Sequence, residues 1–178
     1  MSGTLIASES EIPRDDAVPF EQLYRESFDG VYALAAGVLR DRSAAEDATS
    51  AAFERAFRER GRFDSRRGTP RAWVFGIARN TIVEEWRRRE RRRSKIAEGI
   101  DPESLHRTGH GGEDERSRVV AGAVEGLCAR DRELIALKYY AGLSNIEIAQ
   151  VLGISETNVG TRLHRVMLKL REASHVAT

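Results

Sequence analysis

GLSNIEIAQVLGISETNVGTRLHRV, residues 142–166, describes two helices and the corner between them. Ser144 is followed three residues later by Glu147, the spacing of a capping box that opens a helix. That helix is short and runs to about Leu152. Gly153 stands where the chain needs a positive φ for a tight turn, and Ser155 is placed to cap the next helix. In that helix Val159, Leu163, Val166 and Leu170 recur at the spacing of one face. Ala149 is small where the first helix passes close to the second, and Ile148, Leu152 and Ile154 complete the inner face. This spacing points to a helix-turn-helix. The bland alternative is an ordinary helical hairpin in a bundle.

A helix-turn-helix lays its second helix in the DNA major groove, with its N-terminal residues at base edges. The outer face here offers Glu156, Thr157, Asn158, Gly160, Thr161, Arg162, Arg165 and Lys169. Asn and Arg make bidentate contacts to adenine and guanine, and the later basic positions suit phosphates. For any one of them, a solvated helix surface is the plain alternative. Gly160 is the oddity, because glycine inside a helix is worse than alanine by roughly 1 kcal/mol.

Upstream, the periodicity is helical nearly everywhere, with no convincing period-two alternation. A first helix is predicted over Phe20 to Leu39, and the SAAE stretch (Ser43 to Glu46) predicts a capping box opening a second, which runs to about Arg60. GRFDSRRG, residues 61–68, reads as a loop. Thr69 then Pro70 is a cap followed by a proline at the first helical position. The third helix carries Trp73, Val74, Ile77, Ile82 and Trp86 and continues into an arginine run. Residues 96–116 lack periodicity and predict a flexible linker. Helices resume after it, and LCARDRELIALKYYAG (127–142) is amphipathic with Gly142 as its C-cap. The expectation is an all-α chain of two small helical domains, 19–95 and 117–174. They are joined by the linker and flanked by a disordered extension, 1–18, and a tail, 175–178.

A length of 178 residues with 40% hydrophobic content suits one ordinary domain or two small ones. No apolar run is long enough for a transmembrane helix, so no membrane insertion is expected. The first residues lack the basic and apolar segments of a signal peptide. The single cysteine, Cys128, excludes an internal disulfide and fits a reducing cytoplasm. The net charge of +1 hides an alternation of sign: −5 over residues 1–61, +8 over 62–95, −4 over 96–126 and +2 over 127–178. Blocks of this kind indicate separate surfaces with different partners. The densest is WRRRERRRSK, residues 86–95, where only Glu90 opposes seven basic residues. A solvated helix end is one reading; phosphate neutralisation is the one favoured. Trp73, Phe75 and Trp86 lie beside it, positions more often core than base-stacking platforms.

The two halves together resemble bacterial sigma factors of the small extracytoplasmic-function (ECF) class. Their helix-turn-helix typically reads GLSxxEIAxxLGxSxGTVKSRLxRA, and their other conserved block reads AEDLVQETFLRAW, then a phenylalanine and short loop, then RTWLYRIARN. Here the second block appears as AEDATSAAFERAF, FDSRRGTP and RAWVFGIARN. The resemblance covers roughly residues 20–95 and 117–173 and implies a non-enzymatic, cytoplasmic protein, nucleoid-associated when bound to polymerase. Its implied partners are core RNA polymerase, promoter DNA and an anti-sigma factor, with no cofactor. Carried over by position, Glu46, Asp47, Phe53 and Arg55 match the polymerase-docking set. The loop Arg62 to Thr69 matches the one that captures a flipped minus-ten base, an extrusion that costs a few kcal/mol. Arg66, Arg67, Arg71, Trp73, Arg79, Asn80, Arg87 and Arg88 are the implied minus-ten and single-strand contacts. Asn158, Gly160, Thr161, Arg162, Arg165 and Lys169 are the implied minus-thirty-five contacts. The chain departs from the pattern at Ala48, Thr49, Ser50 and Ala51, and at Gly160, where the family usually has lysine.

A helix-turn-helix regulator of the response-regulator or autoinducer type is the alternative. It would need a receiver or ligand domain, yet residues 1–115 show no βα alternation. A zinc enzyme built on His106, His110 and Cys128 is a weaker one, since those histidines fall in the glycine-rich linker. A plain basic architectural protein leaves the helix-turn-helix unexplained.

Overall fold

The computed structural model describes residues 19–96, 122–124 and 126–176. The expected extension over 1–18, nearly all of the expected linker and His106 and His110 lie outside the described residues. Among the described residues the fold rests on α1 (Phe20–Leu39), α2 (Arg42–Glu59), α3 (Pro70–Ile96), α4 (Ala129–Ile135), α5 (Asn145–Leu152) and α6 (Glu156–Val176). No strand occurs among the described residues.

Helices α1, α2 and α3 pack mutually. Val31, Leu34 and Ala35 of α1 meet a row of alanines on α2 (Ala45, Ala48, Ala52, Ala56) and Val74, Phe75, Ala78 and Ile82 of α3. The small residues let α2 lie close to its neighbours, and Thr49 is tolerated in that core because its hydroxyl donates to the Ala45 carbonyl at 2.7 Å. Two of the departures from the family pattern, Ala48 and Thr49, are therefore core positions, whereas Ser50 and Ala51 face solvent.

The α1 boundaries are as predicted, but α2 starts differently. Asp41, not Ser43, is the cap: its backbone is extended and its carboxylate accepts the Ala44 amide at 2.8 Å. Ser43 is thereby drawn into the first turn, and Glu46 is taken by Arg42 at 2.9 Å instead of reaching back to a cap. The Ala44 amide, with Arg89 beside it, holds the Asp41 carboxyl below the usual aspartate range. A lowered folded value means a contribution that is fully present above the ordinary pKa of about 3.9 and fades as the pH falls through the folded value. Asp41→Ala is expected to cost about 1 kcal/mol near neutral pH, a difference that should shrink in denaturant titrations at strongly acidic pH.

The Thr69–Pro70 start of α3 is as predicted, with the Thr69 hydroxyl accepting the Ala72 amide at 3.1 Å. The loop before it is tightened into two 3₁₀ turns, Arg60–Arg62 and Ser65–Arg67. Val74, Ile77 and Ile82 are buried, but Trp86 is exposed, on a stretch of α3 where Arg89 still reaches Asp41 of α2.

In the second half, α4 continues as a π turn over Ala136–Tyr140, closed by the Ala141 amide on the Ala136 carbonyl at 2.9 Å. Gly142 then takes φ +65°. The expected capping box of α5 is formed, Ser144 and Glu147 satisfying one another's backbone groups. Gly153 has φ +66°, and Ser155 caps α6 through the Asn158 amide at 3.3 Å. Val159, Leu163 and Val166 are buried, as their spacing predicts.

The two halves touch. α1 lies against α4 and the π turn, and α3 lies against α5. Gly30 marks the closest approach: a Cβ there would stand 2.8 Å from Phe75 Cζ and 2.9 Å from Ala141 Cα. Only glycine lets α1 slide between its own domain's Phe75 and the end of the π turn.

Candidate nucleic-acid and polymerase surfaces

The inner face of α6 is fixed by the buried Val159, Leu163 and Val166. That fixes the outer face as well, and Asn158, Thr161, Arg162 and Arg165 all stand exposed on it. The Thr161 hydroxyl donates to the Thr157 carbonyl at 3.0 Å, which commits its proton and leaves its oxygen able to accept. Gly160 is half-buried, and an added Cβ would meet nothing within 4 Å. No intramolecular packing therefore demands glycine there. Gly160→Ala is expected to raise stability by up to about 1 kcal/mol, read as a higher denaturation midpoint. Lys169 differs from its neighbours: its ammonium is held by Asp131 of α4 at 2.6 Å, which raises its pKa and ties α6 back to α4.

The second surface lies along α3 and the loop before it. Asp64 accepts the Arg66 amide and grips its guanidinium through two contacts at 3.0 and 3.1 Å. The guanidinium and the amide together hold the Asp64 carboxyl below its ordinary range. Arg67 is exposed, and Trp73 is half-buried with Phe63 against it at 5.6 Å between ring centroids. Asn80 is exposed. Arg71 and Arg79 are not free. The Arg71 guanidinium donates to the Ala141 carbonyl, and Arg79 Nε lies 2.7 Å from Glu133 Oε1 of α4.

The arginine run is partly neutralised from within. Glu85 pairs with both Arg88 and Arg89, and Arg89 also reaches Asp41 at 3.5 Å. Arg87, Arg91, Arg92 and Arg93 project into solvent. Arg89 thus helps to hold α3 on α2, whereas Arg87 and Arg91 are available to a polyanion.

On α2, Glu46 and Asp47 are exposed, while Phe53 is buried. Arg55 bridges Glu59 at 3.0 Å and Glu84 of α3 at 3.8 Å. Around Phe53 the structure assembles rings that periodicity assigns only to α1 and α2 separately. Tyr24 and Phe28 stand 4.6 and 6.1 Å from it, and Phe20 packs edge-on against Phe57 at 5.2 Å. Arg60 sits over the Phe57 ring at 4.2 Å. Tyr24, Phe28 and Phe57 remain exposed. Their clustering depends on the crossing of α1 and α2, which no local pattern reveals.

Residues 23–92 match Sigma-70 region 2, and residues 117–170 match Sigma-70 region 4. The chain belongs to the sigma-70 family. Among curated proteins it is 29% identical over 167 residues to the ECF RNA polymerase sigma factor SigK of Mycobacterium ulcerans, covering 90% of this chain and 88% of that one. SigK of Mycobacterium bovis is 28% identical over 188 residues, covering 99% and 97%. Solved structures are similar as well, among them two proteins bound to partners. The sigma factor RpoE, in complex with the anti-sigma factor NepR from Bartonella quintana, superposes with a TM-score of 0.71 at 24% identity, covering 89% of this chain and 98% of that one. CnrH, in complex with the cytosolic domain of CnrY, gives 0.63 at 25% identity, covering 89% of each.

The three surfaces now fall on named regions. Helices α1 to α3 are region 2, and α4 to α6 are region 4. The protein is an ECF-type sigma factor, a non-enzymatic initiation factor that binds core RNA polymerase and directs it to promoters. Region 2 occupies the span where a receiver or ligand domain would stand, so the response-regulator alternative is not favoured. No helix among the described residues is long and apolar enough to cross a membrane.

Proposed function

We propose that promoter recognition is divided between the outer face of α6, which reads the minus-thirty-five element as duplex, and the Arg62–Thr69 loop with α3, which captures the opened minus-ten strand. The observation that carries this reading is the contrast on α6: one face fully buried, the other presenting Asn158, Thr161, Arg162 and Arg165 without an ion pair among the described residues. Asn158 and Arg162 supply base readout, and Arg165 supplies phosphate contact. Lys169, committed to Asp131, contributes little to DNA and mainly steadies α6. In region 2, Arg66, Arg67, Trp73 and Asn80 contact the single strand, and Arg87 and Arg88 the neighbouring backbone. Glu46 and Asp47 of α2 face the polymerase, with Phe53 and Arg55 shaping that surface from behind. The domains run over 19–95 and 117–174 with 96–116 between them. The working compartment is the cytoplasm, on the nucleoid while bound to polymerase, and an anti-sigma factor is the regulatory partner.

Selection of random duplexes by holoenzyme reconstituted with bacterial core polymerase tests this division. Two enriched blocks at a fixed spacing support it; a single block or none contradicts it. Gly160→Lys restores the family's cation at a site with open space, and it is expected to tighten binding to the upstream block. Weaker binding would mean that the DNA backbone needs the glycine's clearance. Arg87→Ser with Arg91→Ser is expected to lower the slope of log affinity against log salt by about one for each phosphate left unneutralised. An unchanged slope would return the run to a solvated face.

A further inference from the structure

The end of α2 and the turns after it carry an uncompensated positive charge. Residues 55–67 hold six arginines against two carboxylates, Glu59 and Asp64. Both carboxylates are taken, Glu59 by Arg55 at 3.0 Å and Asp64 by Arg66 at 3.0 Å. Arg58, Arg60, Arg62 and Arg67 are exposed, and among the described residues no carboxylate pairs with any of them. A helix C-terminus favours cations, but the effect fades within the last turn. It accounts for Arg58, in the last turn of α2, and not for Arg62 at the far end of the 3₁₀ turn that follows. Phe57 sits amid this charge. Its ring is 51% exposed although Phe20 packs edge-on against it. Arg60 lies over the ring at 4.2 Å and donates through Nη1 to the Phe57 carbonyl at 2.8 Å, which fixes the guanidinium from two sides.

A guanidinium seated on an aromatic ring, with free cations beside it, is a platform for unpaired bases and their backbone. Duplex DNA has no use for the ring, because its bases are already stacked. The charge along α2 also separates this surface from the polymerase face. Glu46 and Asp47 stand exposed near the start of the helix, Arg58 and Arg60 at its end. A partner surface that attracts the acidic end repels the basic one, so the two ends suit different partners. Arg62 opens the loop assigned above to the captured minus-ten base. Of the two helices that the loop joins, α3 takes the backbone contacts at Arg87 and Arg88 in that assignment, and the end of α2 is left for the strand that continues. Upstream of the minus-ten element the DNA returns to duplex, so unpaired nucleotides continue only toward the start site.

We propose that Phe57, Arg58 and Arg60 form a single-strand site for the unpaired promoter nucleotides on the start-site side of the captured base. A base stacks on the Arg60 guanidinium, which Phe57 backs, and Arg58 binds the adjoining phosphate. This rests on the minus-ten assignment above. Every base has a face that can stack, so the site adds affinity for the opened strand without selecting its sequence. It therefore holds the bubble open and leaves the choice of promoter to α6 and the Arg62–Thr69 loop.

The test uses holoenzyme reconstituted with bacterial core polymerase and two fluorescein-labelled fork templates that carry the enriched promoter blocks. In the short fork the opened strand ends with the minus-ten block; in the long fork it runs on into a stretch of thymidines. Arg58→Gln with Arg60→Gln is expected to leave affinity for the short fork within about twofold and to weaken binding of the long fork about tenfold, the loss of one stacked base and its phosphate. For the long fork, the slope of log affinity against log salt should fall by at least about 0.7, the value for one phosphate on a single strand. Arg60→Lys keeps the charge and loses the plane. With 2-aminopurine in the thymidine stretch, its fluorescence should be quenched by wild-type holoenzyme and recover with Arg60→Lys. A long-fork gain that the double variant shares with wild type overturns the site, and so does 2-aminopurine equally bright with both proteins. An equal loss on both forks also overturns it, by moving the arginines into minus-ten or polymerase contacts. Failure of wild-type holoenzyme to bind either fork is a different result: it removes the minus-ten reading itself, and the site with it.

Discussion

Alanine at both Arg162 and Arg165 is expected to weaken holoenzyme binding to the upstream promoter element by roughly 30-fold at the least. Removing a base-reading or phosphate-binding side chain of this kind costs about 1–3 kcal/mol, and every 1.4 kcal/mol is about tenfold. Both side chains are exposed on α6, so neither change should disturb the core beneath them, and core-polymerase affinity should be unaltered. Lys169→Ala is the informative comparison. Its ammonium is 2.6 Å from Asp131, and its removal should loosen α6 slightly while barely changing the promoter complex. Equal effects of Lys169→Ala and the double variant, measured at one salt concentration, would show that the DNA face is misplaced around α6.

Phe75→Ala is expected to carry the largest stability penalty of any single change considered, about 3–5 kcal/mol. The ring is 0% exposed and fills the space under Gly30, where α1 and α3 approach the end of the π turn. Its removal leaves a cavity that the surrounding alanines are too short to fill. Because a domain of this size has only about 5–15 kcal/mol in hand, the variant should show a greatly lowered denaturant midpoint. A drop under 1 kcal/mol would mean that the three helices do not close around this ring.

The elements were legible where a local rule determines them. The Ser144–Glu147 box, the left-handed Gly153, the Ser155 cap and the Val159 face each depend on a few neighbouring residues, and each stands as expected. The start of α2 was misread because two local signals competed and Asp41 lay two residues ahead of the Ser43 box. Trp86 was read as apolar core because an apolar side chain in a helical pattern does not say which neighbouring helix covers it. The pairing of Arg79 with Glu133 and the ring cluster around Phe53 could not be read at all. Both depend on which helices cross. The π turn likewise has no signature in ALKYY, residues 136–140.

Promoter-specific initiation is the property that the two-surface account stands on. Purified chain added to bacterial core polymerase, with a library of promoter templates and run-off transcription as the readout, tests it most directly. The account predicts initiation from a defined subset of templates, abolished in the Arg162→Ala, Arg165→Ala double variant. Core polymerase that neither binds the chain nor initiates selectively in its presence would contradict it.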